Sequence, residues 1–179
     1  MLQPDNVHEH PLPFSHRELL WCLKVQQRLN QHWLTRMLSV VSRLGNGVFW
    51  YGLMAAIALS GEEHGVEAAT RMAIMGVVGV LLYKWLKKIT SRPRPCARNG
   101  KVVALTAPLD EFSFPSGHTL HAVAFSIVAI AYFPWLAVLL VPFTLLVGLS
   151  RVVLGLHYPS DVAAGTLIGC ALAVLFLAI

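Results

Sequence analysis

Charge is scarce in this sequence, and the scarcity excludes most soluble folds. Asp, Glu, Lys and Arg make up 13% of its 179 residues, about half the roughly 25% of an ordinary soluble domain. Hydrophobic residues reach 56% and mean hydropathy is +0.62, so the chain reads as a membrane protein. Acidic residues are the scarcer sign, nine against fourteen basic, giving a net charge of +5. The basic residues flank apolar runs, which argues against a nucleic-acid partner and for anionic lipid headgroups or an acidic ligand. Cysteine is nearly absent: Cys22, Cys96 and Cys170 have no paired spacing, so neither a disulfide framework nor a zinc pattern is present. A cleavable signal pattern is missing too, since residues 1–14 are polar and hold Pro4, Pro11 and Pro13; they read as a flexible leader.

What is present is a series of apolar runs. Ser15 with Glu18 has capping-box spacing. From there Leu19, Leu20, Leu23, Val25, Leu29, Trp33 and Leu34 alternate with Arg17, Lys24, Gln26, Gln27, Arg28 and Gln31, an amphipathic helix suited to the membrane interface. Gly45-Asn46-Gly47 breaks the chain before a first span at Val48–Ser60, to which Leu34–Leu44 can add a kinked beginning. Further spans are expected at Ala68–Trp85, Ser116–Tyr132, Trp135–Leu154 and Asp161–Ile179. The expected architecture is all-α: a polytopic bundle of five to six transmembrane helices, one domain over residues 15–179, with an amphipathic N-terminal helix. Alternating the direction of successive spans brings three polar stretches to one membrane face.

The first stretch holds Lys87 and Arg94, with Pro93 and Pro95 stiffening the segment as it leaves its helix. Arginine meets phosphate with a planar fork and lysine with a point charge. The second is Phe114-Pro115-Ser116-Gly117-His118. Ser116 is a good N-cap, Gly117 lets the backbone approach a ligand, and a helix starting here aims its N–H groups at an anion. The third is Ser150-Arg151, then His157 and Asp161, four apart and able to meet on one helix face. A carboxylate on one imidazole nitrogen fixes the tautomer and frees the other. Asp161 also stands at the start of an apolar run, where a charge is costly and usually functional.

These residue types divide the work of phosphoryl transfer. His157, supported by Asp161, is the expected nucleophile, giving a phosphohistidine, and His118 the proton donor to the leaving oxygen. Lys87, Arg94 and Arg151, with Ser116 and the Gly117 N–H, are expected to cradle the phosphoryl oxygens. The arginines do the work of a metal, so neither metal nor other cofactor is expected.

In order and spacing the three stretches resemble the signature of the type 2 phosphatidic acid phosphatase superfamily: Lys, six residues, Arg-Pro; Pro-Ser-Gly-His; and Ser-Arg, five residues, His, three residues, Asp. Every signature position is matched, over roughly Ala68 to the C-terminus. The resemblance implies a membrane-embedded helical hydrolase that dephosphorylates lipid phosphates without metal. It also implies a bacterial inner-membrane location with the site on the periplasmic face, although the basic residues near the site follow the positive-inside rule for the cytoplasm. Polyprenyl (undecaprenyl) diphosphate is the first candidate substrate, with phosphatidylglycerol phosphate, phosphatidic acid and lipid A as alternatives. A catalytically silent lipid-phosphate-binding or transport relative is the non-enzyme alternative.

Overall fold

A computed structural model describes residues 13–29, 31–98 and 102–179. Of the expected leader over residues 1–14, residues 1–12 lie outside the described residues, while Pro13 and Phe14 belong to the first helix; Ser15 is inside that helix and not its cap, because the helix begins two residues earlier. Eight α-helices follow in order among them: α1 Pro13–Leu29, α2 His32–Leu44, α3 Val48–Leu59, α4 Gly65–Thr90, α5 Pro95–Arg98, α6 Gly117–Tyr132, α7 Ala137–Val153 and α8 Pro159–Ala178, with a single 3₁₀ turn at Pro134–Leu136 leading into α7. No strand occurs among the described residues.

Three segments are long and apolar enough to cross a bilayer: Gly65–Thr90, Pro134–Val153 and Pro159–Ala178. Val48–Leu59 and Gly117–Tyr132 are apolar but shorter; at 1.5 Å per residue they reach about 18 and 24 Å, less than a hydrocarbon core of about 30 Å. Outward-facing Val66, Ile74 and Trp85 on α4, with Leu167 and Val174 on α8, are exposed. Continuous apolar surface of this kind suits lipid, not water.

The short helix α6 is the axis of the bundle. Leu120, Ala124, Phe125, Val128 and Ala129 are all buried in the core, against Trp50 of α3, Met72 and Met75 of α4 and Leu140 of α7. On α8, Gly165 and Gly169 form a small-xxx-small pair. A Cβ on Gly165 would stand 2.6 Å from the Ser116 carbonyl oxygen, and one on Gly169 would stand 2.6 Å from that of Leu120. Backbone-to-backbone approach is how membrane helices gain contact without a hydrophobic driving force. Here it locks the start of α8 beside the start of α6, the two places where polar residues must meet.

The N-terminal region differs from the single amphipathic helix expected through Leu34. The chain stops at Leu29 and restarts at His32, with Gln31 extended (φ −89°, ψ 129°). The two helices serve different neighbours. α1 buries Leu19, Cys22 and Gln26, and Gln26 hydrogen-bonds both the N–H and the carbonyl of Val103 at 3.0 and 2.8 Å. α2 instead buries Leu38 and Ser42 and is separated from α3 by a turn in which Gly47 adopts φ +131°. That conformation is costly for any residue with a side chain. The Cys22 thiol is pushed up to about 12 by burial first and by the nearby Glu18 and Asp161 carboxylates, so it stays protonated.

Candidate active site

α4 is capped by Ser91, which takes a left-handed conformation (φ 43°); α7 is capped by Leu154, followed by Gly155 at φ +73°. Glycine just past a helix end is a common stop, and here nothing larger fits. A Cβ on Gly155 would lie 2.6 Å from the Val103 carbonyl oxygen. The reversal turns His157 inward, its N–H donating to the Arg151 carbonyl at 3.0 Å. α6 begins at Gly117 with Ser116 as N-cap, its hydroxyl accepting from the Thr119 N–H. Three helix ends thus open on one cavity of about 640 Å³, lined at its polar end by Lys87, Arg94, Asp110, His118, Arg151 and His157.

Three of these are buried cations: Lys87, Arg94 and Arg151 are 6%, 3% and 2% exposed. Burying one charge without compensation costs several kcal/mol, so their neighbours decide the chemistry. Asp110 bridges two of them. Its carboxylate accepts from Lys87 Nζ at 2.7 and 2.8 Å and from Arg94 Nη2 at 2.6 Å, and its carbonyl accepts from Arg94 Nε at 2.9 Å. Burial works to raise the Asp110 carboxyl, but the Lys87 hydrogen bond and both positive charges outweigh it and hold it below the usual range. Arg151 donates through Nη1 to the Ser42 hydroxyl, while its Nε is buried without a partner and no described carboxylate pairs with it.

His157 is 1% exposed, and its surroundings assign its tautomer. Nε2 lies 3.3 Å from Arg94 Nη1. Arginine has only donors, so Nε2 must present its lone pair and the proton must sit on Nδ1. Nδ1 in turn lies 3.6 Å from Asp161 Oδ2. Burial first, then the charges of Arg151, Arg94 and Lys87, hold the imidazole well below the ordinary histidine value, leaving it neutral with its Nε2 lone pair toward Arg94 at the cavity.

The pair does not meet as neighbours on a helix face, as the four-residue spacing suggested. His157 lies in the turn before α8, and Asp161 is the third residue of that helix, accepting the Tyr158 N–H at 2.8 Å in a capping box. Nor does Ser116 reach the cavity. It is wholly buried; its hydroxyl pairs with Thr119 Oγ1 at 3.0 Å and its N–H donates to the Asp161 carbonyl. Gly117 does line the cavity, its α-carbon pressed against Tyr83, whose ring a Cβ would meet at 3.3 Å. His118 lines it as well and pairs through Nε2 with Asn46 Oδ1.

Sequence reasoning missed Asp110, Asn46, Ser42 and Arg92. Arg92 is the cation on Asp161, with Nη1 2.6 Å from Oδ1. The spacing rule that marks Arg94 gives Arg92 no place.

Away from the charges the cavity is apolar, walled by Trp50 and Met54 of α3, Val77, Val80 and Leu81 of α4 and Phe125 of α6. One end thus suits an anion, and the other suits hydrocarbon.

Known proteins resemble this chain. The PAP2 superfamily model matches residues 68–179. The undecaprenyl-diphosphatase BcrC of Bacillus subtilis is 31% identical over 124 residues, 69% of this chain and 64% of the relative's own length. The phosphatidylglycerophosphatase B of Bacillus subtilis is 32% identical over 161 residues, covering 80% of this chain and 74% of the relative. Among solved structures, the transmembrane PAP2-type phosphatidylglycerolphosphate phosphatase of Bacillus subtilis superposes with TM-score 0.72 at 25% identity, covering 94% of this chain and 87% of that one.

Proposed function

We propose, for a chain that belongs to the PAP2 superfamily, that it is a bacterial inner-membrane lipid-phosphate phosphatase acting through a phosphohistidine on His157, with polyprenyl diphosphate as substrate. The observation that carries this reading is the convergence of Lys87, Arg94 and Arg151 on a cavity into which His157 directs a lone pair. A dianionic phosphoryl group would offset most of this positive charge and give the unpartnered Arg151 Nε an acceptor. Three positive charges also repel a divalent ion, so the site needs no metal.

The steps balance on this chain's own groups. His157 Nε2 forms a bond to phosphorus as the bond from phosphorus to the leaving oxygen breaks. His118 gives that oxygen its proton. Asp161 steadies the positive charge that develops on the imidazole, and the three cations hold the phosphoryl oxygens with the Gly117 N–H at the helix start. Water then attacks the phosphohistidine, His118 takes its proton, and inorganic phosphate leaves with Nε2 restored.

The apolar wall receives the lipid tail, and Lys84, one turn before Lys87 on the same cavity, suits the second phosphate of a diphosphate. On this reading the bundle crosses the bilayer five times, through α3 with α2 as its kinked beginning, α4, the shorter α6, α7 and α8. The periplasmic face implied by the family resemblance is retained for the site. It requires the exposed Arg17, Lys24 and Arg28 of α1 to act as surface charge and not as a cytoplasmic retention signal. The longer match to phosphatidylglycerophosphatase B favours phosphatidylglycerol phosphate as the second reading.

Phosphate release by the detergent-purified protein in EDTA, across polyprenyl diphosphate, phosphatidylglycerol phosphate, phosphatidic acid and lipid A, tests the proposal. Release that is fastest from polyprenyl diphosphate is expected. Preference for another lipid replaces the substrate, and no release from any of them by folded protein leaves a silent relative.

Phosphate must displace Asp110, because both need Lys87 Nζ and Arg94 Nη2. Asp110→Asn is therefore expected to tighten competitive inhibition by orthovanadate by about 10-fold, the value of one charge-assisted hydrogen bond relieved. Inhibition constants of the two proteins read this directly. Weaker inhibition of the variant would mean that Asp110 holds the cations in place instead of competing for them.

A further inference from the structure

Behind the cavity, on the side of Asp161 away from His157, lies a second layer of charge that the phosphoryl chemistry does not use. Arg92 reaches three groups at once: Asp161 Oδ1 at 2.6 Å, the Ser160 hydroxyl at 2.7 Å and Glu18 Oε2 at 2.6 Å. Its guanidinium also lies 4.1 Å from the centre of the Tyr158 ring, a packing contact that fixes its plane. The other oxygen of Glu18 accepts the Ser160 N–H at 3.0 Å. Ser160 is the second residue of α8, where a carboxylate meets the positive end of the helix.

Glu18 therefore does two things from a different helix. It supplies an anion to the start of α8, and it is the counter-charge of the arginine that grips Asp161. α1 is held there by more than this pair: Leu19 and Cys22 are buried against Val102 and Tyr158, and Gln26 is tied to Val103 and, at 3.3 Å, to the Val153 carbonyl. The other charged groups around His157 (Lys87, Arg94, His118 and Arg151) all stand on the cavity side. Among the described charged residues, Arg92 and Glu18 stand on the other side of Asp161, whose Oδ2 also accepts the Tyr158 N–H at 2.8 Å.

We propose that Glu18 and Arg92 are positioning residues of the active site: a Glu18–Arg92–Asp161 relay, anchored by α1, that aims the Asp161 carboxylate at His157 Nδ1. An arginine pulling on Oδ1 alone would draw the carboxylate off the imidazole. Glu18 takes up part of that cation's charge and holds its fork, so Oδ2 stays turned toward Nδ1. The N-terminal amphipathic helix is on this account part of the catalytic apparatus, not a membrane anchor alone.

The inference rests on the phosphatase reading, and its test is built to separate the two. Turnover of p-nitrophenyl phosphate avoids the question of which lipid is used. In the full-length protein, Arg92→Ala is expected to lower kcat about 30-fold and Glu18→Ala about 5-fold, each with KM changed less than about twofold. Because Glu18 acts through Arg92, adding Glu18→Ala to Arg92→Ala should cost less than about twofold more. Losses that multiply, or that fall on KM, would mean that α1 merely stabilises the fold; unchanged kcat in Glu18→Ala would overturn the relay while leaving the phosphatase intact. Arg92→Lys keeps the charge but lacks the fork, and serves if alanine variants fail to fold; full activity in it contradicts the proposal. Histidine ¹⁵N spectra read the relay without turnover. His157 is expected as the Nδ1–H tautomer throughout, with its Nδ1 signal shifted in Arg92→Ala or Arg92→Lys as the Asp161 carboxylate turns away, and an identical signal in wild type and variants overturns the relay even if the protein hydrolyses nothing.

Discussion

Replacing His157 with alanine is expected to abolish turnover, by at least about 10⁴-fold in kcat, with lipid binding retained. The magnitude is that of removing a covalent nucleophile, where the remaining groups can only bind and polarise. Geometry singles out this histidine. It is buried, its Nε2 is forced to present a lone pair by Arg94, and its Nδ1 faces Asp161. Burial and the neighbouring cations keep it neutral, so the nucleophile is ready without first losing a proton. The acid limb of kcat/KM should accordingly fall below 6.5, the ordinary histidine value, because the free protein's nucleophile loses its lone pair only when the depressed pKa is crossed. Substantial activity in His157→Ala, in phosphate-release assays matched for protein, would remove His157 from the role.

Replacing His118 gives the second-largest loss, about 10²–10⁴-fold on a lipid substrate, the usual range for a general acid. The size should depend on what leaves. An alcohol or phosphate leaving group needs the proton, whereas p-nitrophenolate leaves readily without it. His118→Ala is thus expected to lose far more on phosphatidylglycerol phosphate than on p-nitrophenyl phosphate. Equal losses on both would show that His118 binds phosphate and does not donate a proton. Its place on the first turn of α6, held by Asn46 from the α2–α3 turn, gives a fixed direction for the transfer. Asn46→Ala should therefore lower kcat in the same leaving-group-dependent way, more weakly.

Much of this site was readable from the chain. Lys87, Arg94, His118, Arg151, His157 and Asp161 stand at fixed short spacings near helix ends. Counting helix directions was enough to bring them to one face. The readable part is local: helix ends, caps and turn glycines such as Gly155 declare themselves in a few residues. What stayed hidden depends on how distant segments fold back. Asp110 sits in a loop without periodicity, beside an equally acidic Glu111, and nothing local says which carboxylate turns inward. Glu18 fits a capping-box spacing with Ser15, yet its carboxylate is engaged by Arg92 and Ser160, 74 and 142 positions away. Ser42 and Asn46 meet Arg151 and His118 only because α2 packs along α7 and its final turn meets the start of α6. The break between α1 and α2 has the same origin, since two docking partners in different directions cannot be served by one straight helix. Side-chain pairing across the bundle is tertiary information that no period in the sequence encodes.

The measurement that bears most directly on the central claim is rapid quenching of the wild-type protein with a ³²P-labelled substrate, followed by mapping of any labelled peptide. The account predicts an acid-labile, alkali-stable phosphate on the peptide containing His157, formed in the presence of EDTA and missing from His157→Ala. Turnover without a trapped intermediate, or label on His118, would contradict it.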